Sequence, residues 1–451
     1  MRATLLPLLL SAALLAGCAG RSASSQPGSS SQPPAASGSA PEGPSQSGSG
    51  EAPPPADSSF QVQVDWSVLE DGASQPLPAV GNRWYADYTD TLIPRPDYGT
   101  LIPYAGARAL VQDFTDPGYS YTVSLYGLMT ADGTAVMDPV CTSVYRVSYA
   151  IDTGDSVSLP VLALEKGDGE RGYPGSGSLL ALAAADGSWC TDFAYWGCAA
   201  SPTALLAGNG EGLYLLAPGT GEAVKEWSWS ELGIADPGGV PWFTGDAYST
   251  VQWAGDRFFL GCFGENWEEA RFLDPMTGEV TTSSAQDWYT DLEQRLQSGA
   301  QTWWDVTDNG DGTCTLTMGE ESRTIPAPLD TGDNLPYVSG GDRVVFEDGK
   351  GSFAVTDLEG KVILSPREGA LSVLQSDWEG GGSWLAVCAG TEPFWEVYTW
   401  NGALSATVQG DGESWCSMAG DLLEVRSPHM AAYYRPEDGT CLRRVWFGLP
   451  G

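Results

Sequence analysis

The sequence predicts an all-β repeat protein, with a β-propeller of seven or eight blades as its architecture. Three observations carry this. From Phe60 onward, short apolar or aromatic runs are broken by Asp-Gly, Asn-Gly and Gly-Gly pairs, the signals of hairpins. Helical periodicity is rare: one short excursion between strands at 285–297, AQDWYTDLEQRLQ, and a brief turn at Trp229–Leu232. One hairpin pattern also recurs. YGLMTADGTAVMDP, 126–139, aligns without gaps on LALAAADGSWCTDF, 180–193, and on FAVTDLEGKVILSP, 353–366.

Looser copies end at Val224, Val280, Leu404 and Leu442, and VTDNGDGTCTLT turns sharply at Gly312. The turn glycines fall at 133, 187, 221, 278, 312, 360, 402 and 439, an average spacing of about 44 residues. That length accommodates four short strands and their turns. A single such sheet cannot cover both of its faces, so the units must stack. A solenoid of stacked hairpins is the rival architecture, since repetition alone does not establish that a ring closes.

The organisation along the chain follows composition. Residues 1–18 combine Met1-Arg2 with an apolar run from Leu5 to Ala16, too short to span a bilayer. The run ends in Leu15-Ala16-Gly17-Cys18, which resembles the lipobox of bacterial lipoproteins. The resemblance implies cleavage before Cys18, acylation of its thiol, and anchoring of the chain to the outer face of a cell membrane through acyl chains. Residues 19–59 hold no aromatic, Val, Ile, Leu or Met, and 34 of the 41 are Ser, Pro, Ala or Gly. Such a segment buries too little to offset its ordering entropy and reads as a tether. As a flexible coil it would reach roughly 35 Å. Residues 60–115 lead into the repeats, and 116–451 form the β-repeat domain.

Charge and residue types exclude several functions. Acidic residues number 58 against 21 basic, a net charge of -37. Nucleic acid is therefore excluded as a partner, because phosphate binding needs an excess of Lys and Arg. The chain has one histidine, His429. Triad hydrolases and most zinc enzymes need at least one and usually more, and SPHMAAYYRP suits a surface or strand-end residue.

The repeat resembles a known family. Tyr126-Gly127-Leu128, Asp132-Gly133 and Asp138-Pro139 resemble the repeat of WG-repeat proteins, as do Gly360-Lys361-Val362-Ile363 and Pro366. Leu92–Tyr104, LIPRPDYGTLIPY, resembles the segment that precedes the repeats in clostridial surface lipoproteins of that kind. Only the first of the three aligned copies keeps the aromatic-Gly pair, and Phe193 replaces the Pro in the second. The resemblance implies a binding or scaffolding role toward a protein or cell-surface glycan, and supplies neither catalytic residues nor a cofactor.

The remaining chemistry is weighed residue by residue. Eight cysteines follow Cys18: 141, 190, 198, 262, 314, 388, 416 and 441. Cys262 and Cys388 sit in apolar strands and read as small packed thiols. Cys190 and Cys198 are the best candidates for a bridge. Asp308-Asn309-Gly310-Asp311-Gly312 looks like a calcium loop, but either register lacks the closing Glu, so a hairpin is the better reading. Weak calcium binding by the acidic surface stays open. Trp303 and Trp304 must point to opposite faces of a strand. The 18 tryptophans read mainly as packing between sheets, with stacking on sugar rings as the alternative. A glycoside hydrolase or lyase working through paired carboxylates needs no histidine, yet no motif singles out a pair.

Overall fold

The computed structural model describes residues 92–446, short stretches within that range apart. Cys18, the tether 19–59, residues 60–91 and His429 lie outside the described residues. The described chain forms eight sequential antiparallel sheets and one helix.

Sheet 1 holds β1 (Leu101–Gln112), β2 (Ser120–Thr130) and β3 (Ala135–Cys141). Sheet 2 holds β4 (Ser143–Ala150), β5 (Ser156–Gly167) and β6 (Ser178–Ala184), and bridges at Ala183–Cys190 and Leu180–Tyr195 extend it. Sheet 3 is β7 (Gly197–Ala200), β8 (Leu205–Gly208), β9 (Gly212–Leu216) and β10 (Ala223–Ser228). Sheet 4 is β11 (Gln252–Trp253), β12 (Phe258–Phe263), β13 (Glu269–Leu273) and β14 (Val280–Ser284). The helix α1 (Ala285–Ser298) follows. Sheet 5 has three strands, β15 (Asp305–Asp308), β16 (Thr313–Met318) and β17 (Glu321–Pro326). Sheet 6 is β18 (Tyr337–Ser339), β19 (Arg343–Glu347), β20 (Ser352–Asp357) and β21 (Val362–Glu368). Sheet 7 is β22 (Ala370–Gln375), β23 (Ser383–Cys388), β24 (Phe394–Thr399) and β25 (Leu404–Gln409). Sheet 8 is β26 (Trp415–Ala419), β27 (Leu422–Arg426), β28 (Met430–Tyr434) and β29 (Cys441–Trp446).

Strand alternation lets a sheet present an apolar face to each of its two neighbours. Sheet 6 illustrates this. Val344, Phe346 and Ala354 pack on Cys314, Leu316 and Ile325 of sheet 5. Phe353, Val355 and Leu364, on the other face, pack on Leu385 and Val387 of sheet 7. Burying one such aliphatic or aromatic side chain stabilises the fold by about 1.5–3 kcal/mol, so the seams between sheets form the core.

The turns joining the last two strands of a sheet lean on the sheet before. Gly221 abuts Trp189, Gly278 abuts Trp227, Gly402 abuts Ile363 and Gly439 abuts Ala406. Gly133 of sheet 1 follows the same rule and abuts Leu442, which belongs to sheet 8. Its φ of 87° and a carbonyl 2.6 Å from where a Cβ would stand leave glycine the fitting residue. The first and last sheets therefore meet. Ile102, Tyr104, Ala105 and Met129 share a core with Leu422, Ala431 and Tyr433. The ring closes at eight blades. A solenoid would leave its terminal units apart.

One detail of the repeat differs from the sequence reading. Gly312 closes the first hairpin of sheet 5, β15–β16, and not its last. The last-hairpin glycines of sheets 4 and 6, Gly278 and Gly360, are consequently 82 residues apart, two repeats. Gly360 itself follows the rule and leans on Pro326, at the end of β17 in sheet 5. The aromatic-Gly pair also has a structural cause: a Cβ on Gly127 would collide with the Met137 carbonyl and the Tyr104 ring.

Helix α1 occupies 285–298, matching the excursion read from sequence. Ala285, Trp288, Tyr289 and Leu292 form its apolar stripe, and the Asp287 amide donates to Ser284 Oγ at its start (3.3 Å). Trp304 is buried and Trp303 is 59% exposed, but both stand just before β15 and not in a strand, so their opposite exposure is not strand alternation. The described cysteines 141, 190, 198, 262, 314, 388, 416 and 441 are thiols, so Cys190 and Cys198 form no bridge. Burial pushes both of these thiols up to about 12.

Candidate functional site

Up-and-down connection gives each complete sheet two distinct ends. First–second and third–fourth turns lie at one, here the hairpin end. Second–third loops and the links between sheets lie at the other, the connecting end. Gly369 alone joins β21 to β22, so neighbouring sheets share this polarity.

Exposed aromatics gather at the connecting end of sheets 4–8. Trp267 stands in the β12–β13 loop, Tyr337 and Trp415 open β18 and β26, and Phe394 opens β24. Trp303 precedes β15 at the same end, because the opposite end of sheet 5 is fixed by Pro326 against Gly360. The exposed aliphatic residues Val224, Val362 and Leu404 begin last strands, at the hairpin end, and Met276 lies in a turn there.

Trp267 is the most unusual of these residues. It is 62% exposed, and it is the one non-glycine among the described residues with a positive φ, 57°. Its amide donates to the Gly264 carbonyl (3.3 Å). A large side chain in the left-handed region is strained by about 1–3 kcal/mol, and such strain concentrates at functional sites. Here the strain holds an indole out in solvent. Carboxylates stand at the same end: Glu268 beside Trp267, Glu368 ending β21, and Glu413 before Trp415.

The hairpin end carries a cavity of about 420 Å³. Arg146 on β4, Asp186 and Trp189 from the turn after β6, Pro218 before β10, and Asp421 between β26 and β27 line it. Asp186 accepts from the Ser188 amide (2.9 Å), and Asp421 accepts from Ser376 Oγ (3.1 Å). Ser188 holds the Asp186 carboxyl below the usual carboxylate range.

Several other described carboxyl groups are lowered in the same way. Backbone amides of Ser352 and Lys350 lower Asp348, and the Tyr398 hydroxyl followed by Arg367 lowers Glu396. The suspected calcium loop is a hairpin whose acids serve the backbone. Asp308 accepts from the Gly310 amide (2.8 Å), and Asp311 accepts from the Thr313 amide (3.1 Å) and hydroxyl (2.6 Å).

Sequence reasoning singled out Trp303 but missed Trp267, Trp415 and the cavity residues. A glycine three residues before Trp267 was the one local signal for the first. Nothing local marks Arg146 and Asp421, which come together only through the ring.

No protein-family model matches the sequence, and no curated protein matches it. Among solved structures, the chain is similar to dihydro-heme d1 dehydrogenase NirN in complex with DHE, at 11% identity and a TM-score of 0.27, covering 78% of this chain and 74% of that one. BamB from Moraxella catarrhalis is similar at 11% identity and a TM-score of 0.21, with 78% and 97% covered. Kluyveromyces lactis Hsv2 is similar at 10% identity and a TM-score of 0.24, with 76% and 96% covered. Likenesses of this size say nothing about what the chain binds.

Proposed function

We propose that the protein is a lipid-anchored, extracytoplasmic binding or scaffolding protein of the WG-repeat kind, and that the connecting end of its propeller is the recognition face for a protein partner. Acyl chains on Cys18 hold it to the membrane, and residues 19–59 provide the reach. The observation that carries the reading is Trp267, a strained and exposed indole in a line of exposed aromatics spread over five consecutive sheets. Aromatic anchors of this type dominate protein interfaces. Spread over separate sheets, they suit a broad partner better than a single glycan chain lying in one cleft. The acids among them, and a net charge of -37, favour a partner bearing Lys and Arg.

The test is capture from envelope extracts by the full-length protein and by a Trp267→Ala/Trp303→Ala/Trp415→Ala variant. At least tenfold loss of a captured protein, with salt-sensitive capture by the parent, is expected. Unchanged capture, or a glycan-array signal abolished by the same substitutions, overturns the reading. Membrane retention of a Cys18→Ser variant would overturn the anchor separately.

A further inference from the structure

The cavity at the hairpin end has a chemistry unlike that of the aromatic face. One guanidinium, Arg146, and two carboxylates, Asp186 and Asp421, line a space of about 420 Å³. Apolar walls come from Pro160, Trp189 and Pro218. The volume lies toward the lower end of the range for small-molecule sites, about 300–1,000 Å³.

Charges of both signs within one small cavity match a ligand that carries both. A guanidinium presents a planar fork of donors suited to a carboxylate. A pair of carboxylates suits an ammonium group. Carbohydrate fits less well, because sugar rings stack on open indole faces. Trp189 is buried, and Gly221 lies so close over its ring that a Cβ there would stand 2.5 Å from it. The indole is therefore a wall and offers no platform.

We propose that this cavity binds a small zwitterion of dipeptide size, with its carboxylate on Arg146 and its ammonium group between Asp186 and Asp421. The site is separate from the aromatic face and does not depend on it. Its parts are assembled by closure of the ring: Asp421 comes from sheet 8, Arg146, Asp186 and Trp189 from sheet 2, and Pro218 from sheet 3.

Titration calorimetry of the full-length protein with alanyl-alanine, its N-acetyl derivative and its C-terminal amide tests the assignment. Alanyl-alanine is expected to bind, and each blocked form to bind at least tenfold more weakly. Arg146→Met should abolish the preference for the free carboxylate over the amide. Asp421→Asn should reduce the preference for the free amine over the acetyl form. Asp421 is an exposed turn residue, so this second variant stays informative if the first fails to fold. Equal binding of all three peptides, no binding of any, or binding of a neutral disaccharide such as maltose in their place overturns the proposal.

Discussion

Two seams of the ring solve one packing problem in different ways. Where sheet 8 meets sheet 1, an apolar core surrounds buried polar groups. The Ala105 amide donates to the Tyr433 hydroxyl (2.6 Å), which donates in turn to Glu424 Oε1 (2.7 Å). Ser417 Oγ donates to Glu424 Oε2 (3.0 Å), and Arg426 donates to the Tyr126 hydroxyl (2.7 Å). Arg443 lies over the Tyr104 ring at 4.2 Å and donates to the Gly133 carbonyl (3.2 Å). Where sheet 4 faces sheet 5, a helix intervenes. Trp288 stacks on Phe259 at 5.0 Å, and α1 covers the face formed by Phe259, Cys262, Ala270 and Phe272. The opposite face of sheet 5 carries Thr307, Thr315 and Thr324 in one cross-strand row, with Thr317 and Ser322 beside it.

The difference teaches what closes this ring. Every described strand of sheet 1 comes from the start of the repeats, and every strand of sheet 8 from the end. Side chains, with no described strand shared between the two sheets, must hold the ends together. A directional network fixes their register better than apolar contact alone. The 4/5 seam lies inside a continuous chain and can be filled by a local helix with a polar sheet face behind it.

Replacing Trp288 with Ala should have the largest effect, about 3–5 kcal/mol in chemical unfolding, because a buried indole leaves a cavity. Its hydrogen-exchange signature should stay in sheet 4 and α1. An equal rise at the 8/1 seam would erase the distinction between the two. Glu424→Ala should cost about 2–3 kcal/mol, since it strips the Tyr433 and Ser417 hydroxyls of their buried acceptor. Exchange should then rise in sheets 1 and 8 together. Thr315→Val should cost about 1 kcal/mol or less, because the hydroxyl it removes bonds only to the exposed groups of Asn309 and Thr324 on a half-buried face. A loss of 2 kcal/mol or more (about the cost of a broken buried hydrogen bond) would mean that this face is packed.

A small effect of pH is expected at a third seam. Arg367 Nη2 of sheet 6 meets Glu396 Oε2 of sheet 7 at 2.7 Å, with both side chains about one-third exposed. The Glu396 carboxyl is lowered below its ordinary value of 4.5 by the Tyr398 hydroxyl and by Arg367. A depressed folded-state value contributes stability above 4.5 that is lost as the pH falls through the folded value. Solvent screening limits the contribution to about 1 kcal/mol or less. Glu396→Gln should flatten that part of the stability profile, and an unchanged profile would remove the pair from the account.

Much of the ring was legible in the sequence because its signals are local. Turn glycines announce themselves, as at Gly133, where a positive φ and a close carbonyl leave no room for a side chain. The stripe of α1 followed its own periodicity, whereas Trp303 and Trp304, read as strand neighbours, stand just before β15. Sheet 5 misled the count of turns because Gly312 closes a different hairpin from its apparent equivalents. The closing network and the cavity were illegible for one reason. Ala105 and Tyr433 stand 328 positions apart, and no spacing rule brings them together. The aromatic face needed the polarity of every sheet before Trp267, Tyr337, Phe394 and Trp415 could be placed at one end.

Hydrogen exchange at the Ala105 amide, compared between the parent protein and Tyr433→Phe, tests ring closure most directly. Loss of the hydroxyl should speed exchange at Ala105 at least tenfold while sheets 3 to 6 stay unchanged. An Ala105 amide indifferent to the substitution would mean that the first and last sheets do not meet, and the closed eight-bladed ring would fall with it.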